Sequence, residues 1–207
     1  HRIGQLSVNK QINMKQLTIE AFKGMLNNAL THIKAREDEF SKLDAVIGDG
    51  DHGQAIVTAF SVVVKAGEKG TEFKSMLNDM GFGVMLETSG STSTLLGAFF
   101  LGMSDNAAGT ELDAAAVKKM FAGGLANVQK QTQAKKGDKT MMDALIPAIE
   151  AIEASTSDDI KEIMTAGAEA AIRGAEETVN MKANFGRARN YGERSIGYAD
   201  SGATSWS

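Results

Sequence analysis

The sequence contains no cysteine, which excludes disulfides, thiolate catalysis and zinc–thiolate sites and is compatible with a reducing compartment. A cytoplasmic location is the resulting expectation. It has a single proline, Pro147, and one tryptophan, and aromatic residues make up 6% of the chain. No basic excess is present either: 22 Lys and Arg stand against 26 Asp and Glu, a formal net charge of -4, with no basic run carrying interleaved aromatics. Direct nucleic-acid binding is therefore not expected. The apolar runs, such as Leu95 to Met103, fall well short of the roughly 20 residues that cross a bilayer.

What is present is an ordinary globular composition, 43% hydrophobic and 23% charged, in 207 residues, enough for one domain with a sizeable core. Apolar residues at Phe22, Met25, Leu26, Leu30 and Ile33 recur at helical spacing. The same period returns at Ala55, Ile56, Ala59, Phe60 and Val63, and at Phe73, Met76, Leu77, Met80 and Val84. Helices are further expected at Leu95–Met103, Leu112–Lys136, Thr140–Ala154, with Pro147 kinking or shortening it, and Asp158–Val179. Strict apolar/polar alternation is missing, so no sheet is expected and the fold class is all-α. From Lys182 onward the chain reads as a long ordered loop or functional tail. Residues 1–13 precede Met14 and are expected to be a leader outside the fold; residues 14–207 are read as one domain.

The chemistry concentrates in one segment, where Asp44, Asp49 and Asp51 fall within eight positions among Gly48, Gly50 and Gly53. Crowded carboxylates repel, and a hard divalent cation with oxygen ligands relieves that repulsion. A calcium loop of the EF-hand type is excluded, because counted from Asp49 its ligand positions five and twelve are Gly53 and Phe60. Magnesium keeps few protein ligands and takes substrate phosphates, so the cluster suggests a metal–nucleotide site; glycines and the start of a helix near His52 suit phosphate. Asp-Gly pairs are also ordinary loop signals, so spacing alone leaves a solvated turn as the other reading. His32 reads as a surface or satisfied histidine, and the eleven methionines as adaptable core filler. Arg187, Arg189 and Arg194 read either as a solvated basic face or as partners of phosphate. No P-loop occurs, so a kinase site here is of a non-Walker kind.

Four motifs in order carry a resemblance. Asp44 with Gly48-Asp49-Gly50-Asp51-His52-Gly53, then Gly137-Asp138-Lys139-Thr140-Met141 with Asp143, then Gly186-Arg187-Ala188 to Tyr191-Gly192-Glu193-Arg194-Ser195, and Asp200-Ser201-Gly202 resemble the nucleotide-binding subunits of dihydroxyacetone kinases. The similarity runs from Met14 to the C-terminus. Two departures stand out: the family's Gly-Gly-Ala-Ser-Gly-Pro-Leu loop is Ser89-Gly90-Ser91-Thr92-Ser93-Thr94-Leu95 here, and Asp-Pro-Gly is Asp200-Ser201-Gly202. The family's closing helix is expected to be missing or short.

The resemblance implies an eight-helix antiparallel barrel with the nucleotide at one end. It implies that Asp44, Asp49 and Asp51 ligate two magnesium ions, and that His52, Gly53, Gln54 and Ala55 contact ADP or ATP. Ser91 and Thr92 would bind phosphate, and Gly137, Met141, Arg187, Asp200, Ser201 and Gly202 would surround the base, ribose or phosphates. It further implies transfer to dihydroxyacetone held on a partner subunit, with bound ADP recharged in place by a phosphohistidine phosphotransferase protein. Two other readings remain open at this stage: an ATP-exchanging kinase of the same family, and a nucleotide-sensing regulator that binds a transcription factor.

Overall fold

The computed structural model describes residues 13–207, so the leader expected at the N-terminus lies almost wholly outside the described residues. Nine α-helices are found among them: α1 (Ile19–Ala35), α2 (Glu37–Ile47), α3 (His52–Gly67), α4 (Phe73–Glu87), α5 (Ser91–Ser104), α6 (Ala114–Gln131), α7 (Met142–Ala154), α8 (Ile160–Glu177) and α9 (Ser201–Trp206). The all-α class holds. The expectation of no sheet is corrected in one small respect, because β1 (Leu17–Thr18) pairs antiparallel with β2 (Glu111–Leu112), Leu17 opposite Leu112.

The apolar stripes read from the sequence face inward as helical spacing requires. Phe22, Ile56, Ala59, Val63, Phe73, Met76, Leu77, Met80 and Val84 are buried together in one core, extended by Phe100, Met103 and Met120. Phe22 and Phe73 meet edge to face, their centroids 5.7 Å apart. A second cluster, around Met142, Leu145, Ile149, Ile152 and Ile163, joins α7 and α8 to the end of α6.

Successive helices from α3 to α8 pack side by side, in the pairs α3/α4, α4/α5, α5/α6, α6/α7 and α7/α8. Their connections therefore alternate between two ends of the molecule. One end gathers the 68–72, 105–113 and 155–159 turns with β1 and β2; Phe73 donates to the Gly109 carbonyl there, and Met14 exchanges hydrogen bonds with Asp159 and Ile160. The other end gathers residues 48–51, 88–90, 132–141 and 178–200, and the motifs singled out above lie in these segments or in the helix turns next to them.

Three findings concern particular elements. Helix α2 is an element that the apolar periodicity does not mark, and Asp44 sits in its last turn. Phe40 is the buried residue of that helix, with the Arg36 guanidinium 5.2 Å from its ring centroid. Pro147, expected to kink or shorten its helix, lies inside α7, which starts two residues after the expected Thr140 and ends at the expected Ala154. The Asp143 carbonyl, left without the donor that a proline lacks, faces α8 at Gly174, where any Cβ would lie 2.0 Å from that oxygen. The segment after Lys182 holds 3₁₀ turns over Arg187–Ser195, interrupted at Gly192, and then the six-residue α9.

Candidate functional site

The three aspartates converge. One carboxylate oxygen from each of Asp44, Asp49 and Asp51 lies within 4.8 Å of the others. Asp44 reaches the group from α2 and also accepts from the His52 backbone N–H at 3.2 Å, tying the end of α2 to the start of α3. Asp49 and Asp51 come from the connecting turn, which bends through Gly50 at φ +78°. Only oxygen donors are present, the set that a hard divalent cation such as magnesium prefers, and their crowding leaves negative charge unneutralised.

The charges respond accordingly. Asp51 is raised from its ordinary value, first by a side-chain hydrogen bond with the Asp49 carboxyl, then by desolvation and by the charges of Asp49 and Asp44. Asp49 is lowered, first by that same hydrogen bond and then by Arg187, whose Nη1 donates to Asp49 Oδ2 at 2.6 Å. Positive charge sited among the three would relieve the whole group.

His52 opens α3 beside the cluster, and its Nε2 lies 2.7 Å from Ser205 Oγ on α9. Burial lowers its pKa, opposed by Asp44, so the ring favours the neutral form. Gly53 is buried at the α2/α3 contact: a Cβ there would stand 2.1 Å from the Glu37 carbonyl oxygen, and its N–H donates to Ser41 Oγ at 3.1 Å. Glycine at 53 is thus required by packing, and the His52 and Gly53 N–H groups are both committed within the protein. Gln54 and Ala55 follow in the first turn of α3, Gln54 exposed.

The departing Ser89–Thr94 loop leads directly into α5. Gly90, at φ +102°, precedes α5 and supplies no side-chain cap, so the first-turn backbone N–H groups, those of Ser91 and Thr92 among them, have no side-chain capping partner. Ser93 is buried and receives the Thr88 hydroxyl at 2.6 Å, which braces the turn from behind.

The Gly137–Met141 loop is built by Asp143, whose buried carboxylate accepts from Gly137 N–H at 2.6 Å and Thr140 N–H at 2.9 Å. Met141 is buried in the α7 cluster and lies under Gly202, where a Cβ would sit 3.5 Å from its own. Asp200 caps α9 by accepting from Ala203 N–H at 2.8 Å. Burial pushes its carboxyl up to about 6, opposed by that hydrogen bond and by Lys139.

The structure therefore brings Asp44, Asp49, Asp51, His52 and Arg187 into direct contact chains, with α9 reached through Ser205. Two residues quoted only as part of a motif carry structural weight. Asp143 holds its loop. Lys139 is 2% exposed, and its ammonium donates to the Met181, Ser195 and Tyr198 carbonyls at 3.2, 2.6 and 2.6 Å. A lysine inside a Gly-Asp-Lys-Thr turn gives no sign in the sequence that it is buried.

An all-helical assembly with an acidic, oxygen-only cluster at one end defines a class that comparison with known proteins makes specific. Residues 46–207 match the DAK2 domain, and the chain belongs to that family. Relatives within it include the ADP-binding subunit of PEP-dependent dihydroxyacetone kinase 2 of Listeria innocua, 32% identical over 202 residues, 93% of this chain and 94% of that protein. The ADP-binding subunit of the PEP-dependent dihydroxyacetone kinase of Escherichia coli (strain K12) is 33% identical over 181 residues, covering 84% and 85%. Among solved structures, the dihydroxyacetone kinase from C. freundii in complex with AMP-PNP and Mg2+ aligns with 99% of this chain at a TM-score of 0.67 and 20% identity. The chain spans about a third, 35%, of that protein, and the likeness speaks to the fold.

Proposed function

We propose that this chain is the nucleotide-binding subunit of a dihydroxyacetone kinase, with residues 14–207 acting as one unit. The observation that carries the reading is the convergence of the Asp44, Asp49 and Asp51 oxygens within 4.8 Å at the end of the molecule where α5 leaves its first-turn N–H groups uncapped. The full-length relatives in Listeria and Escherichia coli are ADP-binding subunits by name, and the C. freundii kinase was crystallised with AMP-PNP and Mg2+.

In this reading Asp44, Asp49 and Asp51 would hold two magnesium ions for the binding of ADP or ATP. The metal supplies neutralisation of charge on the transferred group, the main requirement of phosphoryl transfer. Ser91 and Thr92 donate from the start of α5 to phosphate oxygens. Arg187 adds a fixed positive charge beside Asp49. The 3₁₀ segment and α9 form the remaining wall, with Gly137, Asp200, Ser201 and Gly202 along it and Met141 beneath. Asp44, through the His52 N–H, and Ser205, through the His52 ring, keep α2, α3 and α9 in one arrangement while phosphate is transferred.

The acceptor is dihydroxyacetone held on a partner subunit, and the bound ADP is recharged in place by a phosphohistidine protein. Asp49 and Asp51 are exposed, which leaves the cluster open to both partners in turn. Incubating ADP-loaded protein with a phosphorylated donor should convert bound ADP to ATP without release. Free exchange of bound ADP with solution ATP within seconds, with no acceleration by a donor protein, would instead place the chain with the ATP-exchanging kinases.

A further inference from the structure

Lys139 has a buried ammonium that the proposed chemistry does not use. It is the non-glycine residue with a positive φ, +63°, among the described residues, a backbone region that glycine enters at far lower cost. This backbone conformation carries the lysine side chain into the protein interior.

Its three N–H donors meet three carbonyl acceptors, those of Met181, Ser195 and Tyr198. Met181 and Tyr198 bracket a segment without long helices, and both their carbonyls rest on one nitrogen, so the segment is closed at its base like an Ω-loop. Three further bonds secure it: Asn184 N–H donates to the Asp138 carbonyl at 3.2 Å, Gly197 N–H donates to the Val179 carbonyl at 2.8 Å, and the Ser195 hydroxyl accepts from Ala183 N–H at 2.9 Å. The outer part of the loop is exposed through Phe185, Arg187, Arg189, Tyr191 and Arg194. From this part Arg187 reaches back to Asp49. An exposed Arg–Asp pair contributes little by itself, so the placement of Arg187 depends on the loop that carries it, which is closed at its base and also packs on α2.

We infer that Lys139 is a positioning residue of the metal–nucleotide site: by closing the 181–198 loop at its base, it places the Arg187 guanidinium over the Asp44, Asp49 and Asp51 cluster. The inference rests on the functional reading above, in that the Arg187 position matters because phosphates lie there. Arginine is a poor replacement, because a planar guanidinium cannot direct donors to three carbonyls gathered around one point. Methionine fills the same length and removes the charge and all three donors.

Two readouts test it. Trypsin cleavage after Arg187, Arg189 and Arg194, followed by mass spectrometry on nucleotide-free protein, reports opening of the loop. Lys139→Met should raise that rate about tenfold with the helical circular dichroism unchanged, as expected when a charge-assisted anchor is lost. A rate equal to that of the unmodified protein would overturn the anchoring. Magnesium–ADP affinity, measured by calorimetry in a double-mutant cycle, reports action through Arg187. Lys139→Met should weaken binding about tenfold when Arg187 is present and have almost no further effect in an Arg187→Gln background. Equal losses in both backgrounds would show a role in stability alone and overturn the positioning role. If Lys139→Met does not fold, Lys139→Gln, which retains donors for some of the carbonyls, takes its place in both measurements. Absence of ADP binding in the unmodified protein would refute the nucleotide reading, whereas the tryptic result decides the loop anchor independently.

Discussion

Arg187 and Asp49, 138 positions apart in the chain, are joined by a 2.6 Å hydrogen bond from Nη1 to Oδ2. Their side chains are 81% and 50% exposed, so solvent and salt screen the pair and it adds little to folding stability. Arg187→Gln should therefore leave the denaturant midpoint unchanged while weakening magnesium–ADP binding about tenfold, the loss typical of one charge-assisted contact. Denaturation and calorimetry on the same preparation check both halves.

Asp51 is raised by its neighbours Asp49 and Asp44, so it holds its charge at a cost whenever no cation is present. Asp51→Asn preserves shape and removes that repulsion. Without metal, its melting temperature should equal or exceed that of the unmodified protein. With metal, magnesium should no longer stabilise it. A variant still protected by magnesium would remove Asp51 from the ligand set.

Asp200 gives a pH dependence of known sign. Its carboxyl ionises near the usual 3.8 when unfolded and at about 6 when folded, chiefly because it is buried. Between these values the folded state binds more protons, so this group's contribution to stability falls as pH rises through that window and is level above it. At about 1.4 kcal/mol per unit the fall amounts to about 3 kcal/mol. Asparagine caps helices as well as aspartate. Metal-free Asp200→Asn should accordingly gain stability relative to the unmodified protein from pH 4 to pH 7, as read by denaturant titration at each pH. A difference that stays constant with pH would refute the burial of a charge at this position.

Phe40 connects packing to the site, because it is the buried residue of the helix that carries Asp44. Phe40→Ala should destabilise by about 3–5 kcal/mol, as large-to-small core changes do, and weaken magnesium binding by loosening α2. Thermal unfolding with and without magnesium separates the two effects.

Much of this was legible in the sequence. The stripes of α1, α3 and α4 are regular because each buries one face, and the Asp49-Gly50-Asp51 turn is dense in charge where a solvated loop has no need of it. Helix α2 was not legible. It follows α1 after Arg36 alone, has no side-chain cap, and buries only Phe40, so Asp44 reads as part of the loop beyond it. Gly53 reads as a phosphate glycine, whereas its neighbours Glu37 and Ser41 arrive from another helix and only tertiary structure brings them there. The partners of Lys139 lie 42 to 59 positions away, beyond any local pattern.

The central claim is that nucleotide is held through a divalent cation on Asp44, Asp49 and Asp51. Its most direct test is calorimetric titration of ADP into protein stripped of nucleotide, in excess magnesium and again in excess chelator, with Asp49→Asn run in parallel. The account predicts one bound ADP per chain in magnesium, none in chelator, and none with the variant under either condition. Equal ADP affinity in magnesium and in chelator, unaffected by Asp49→Asn, would contradict it.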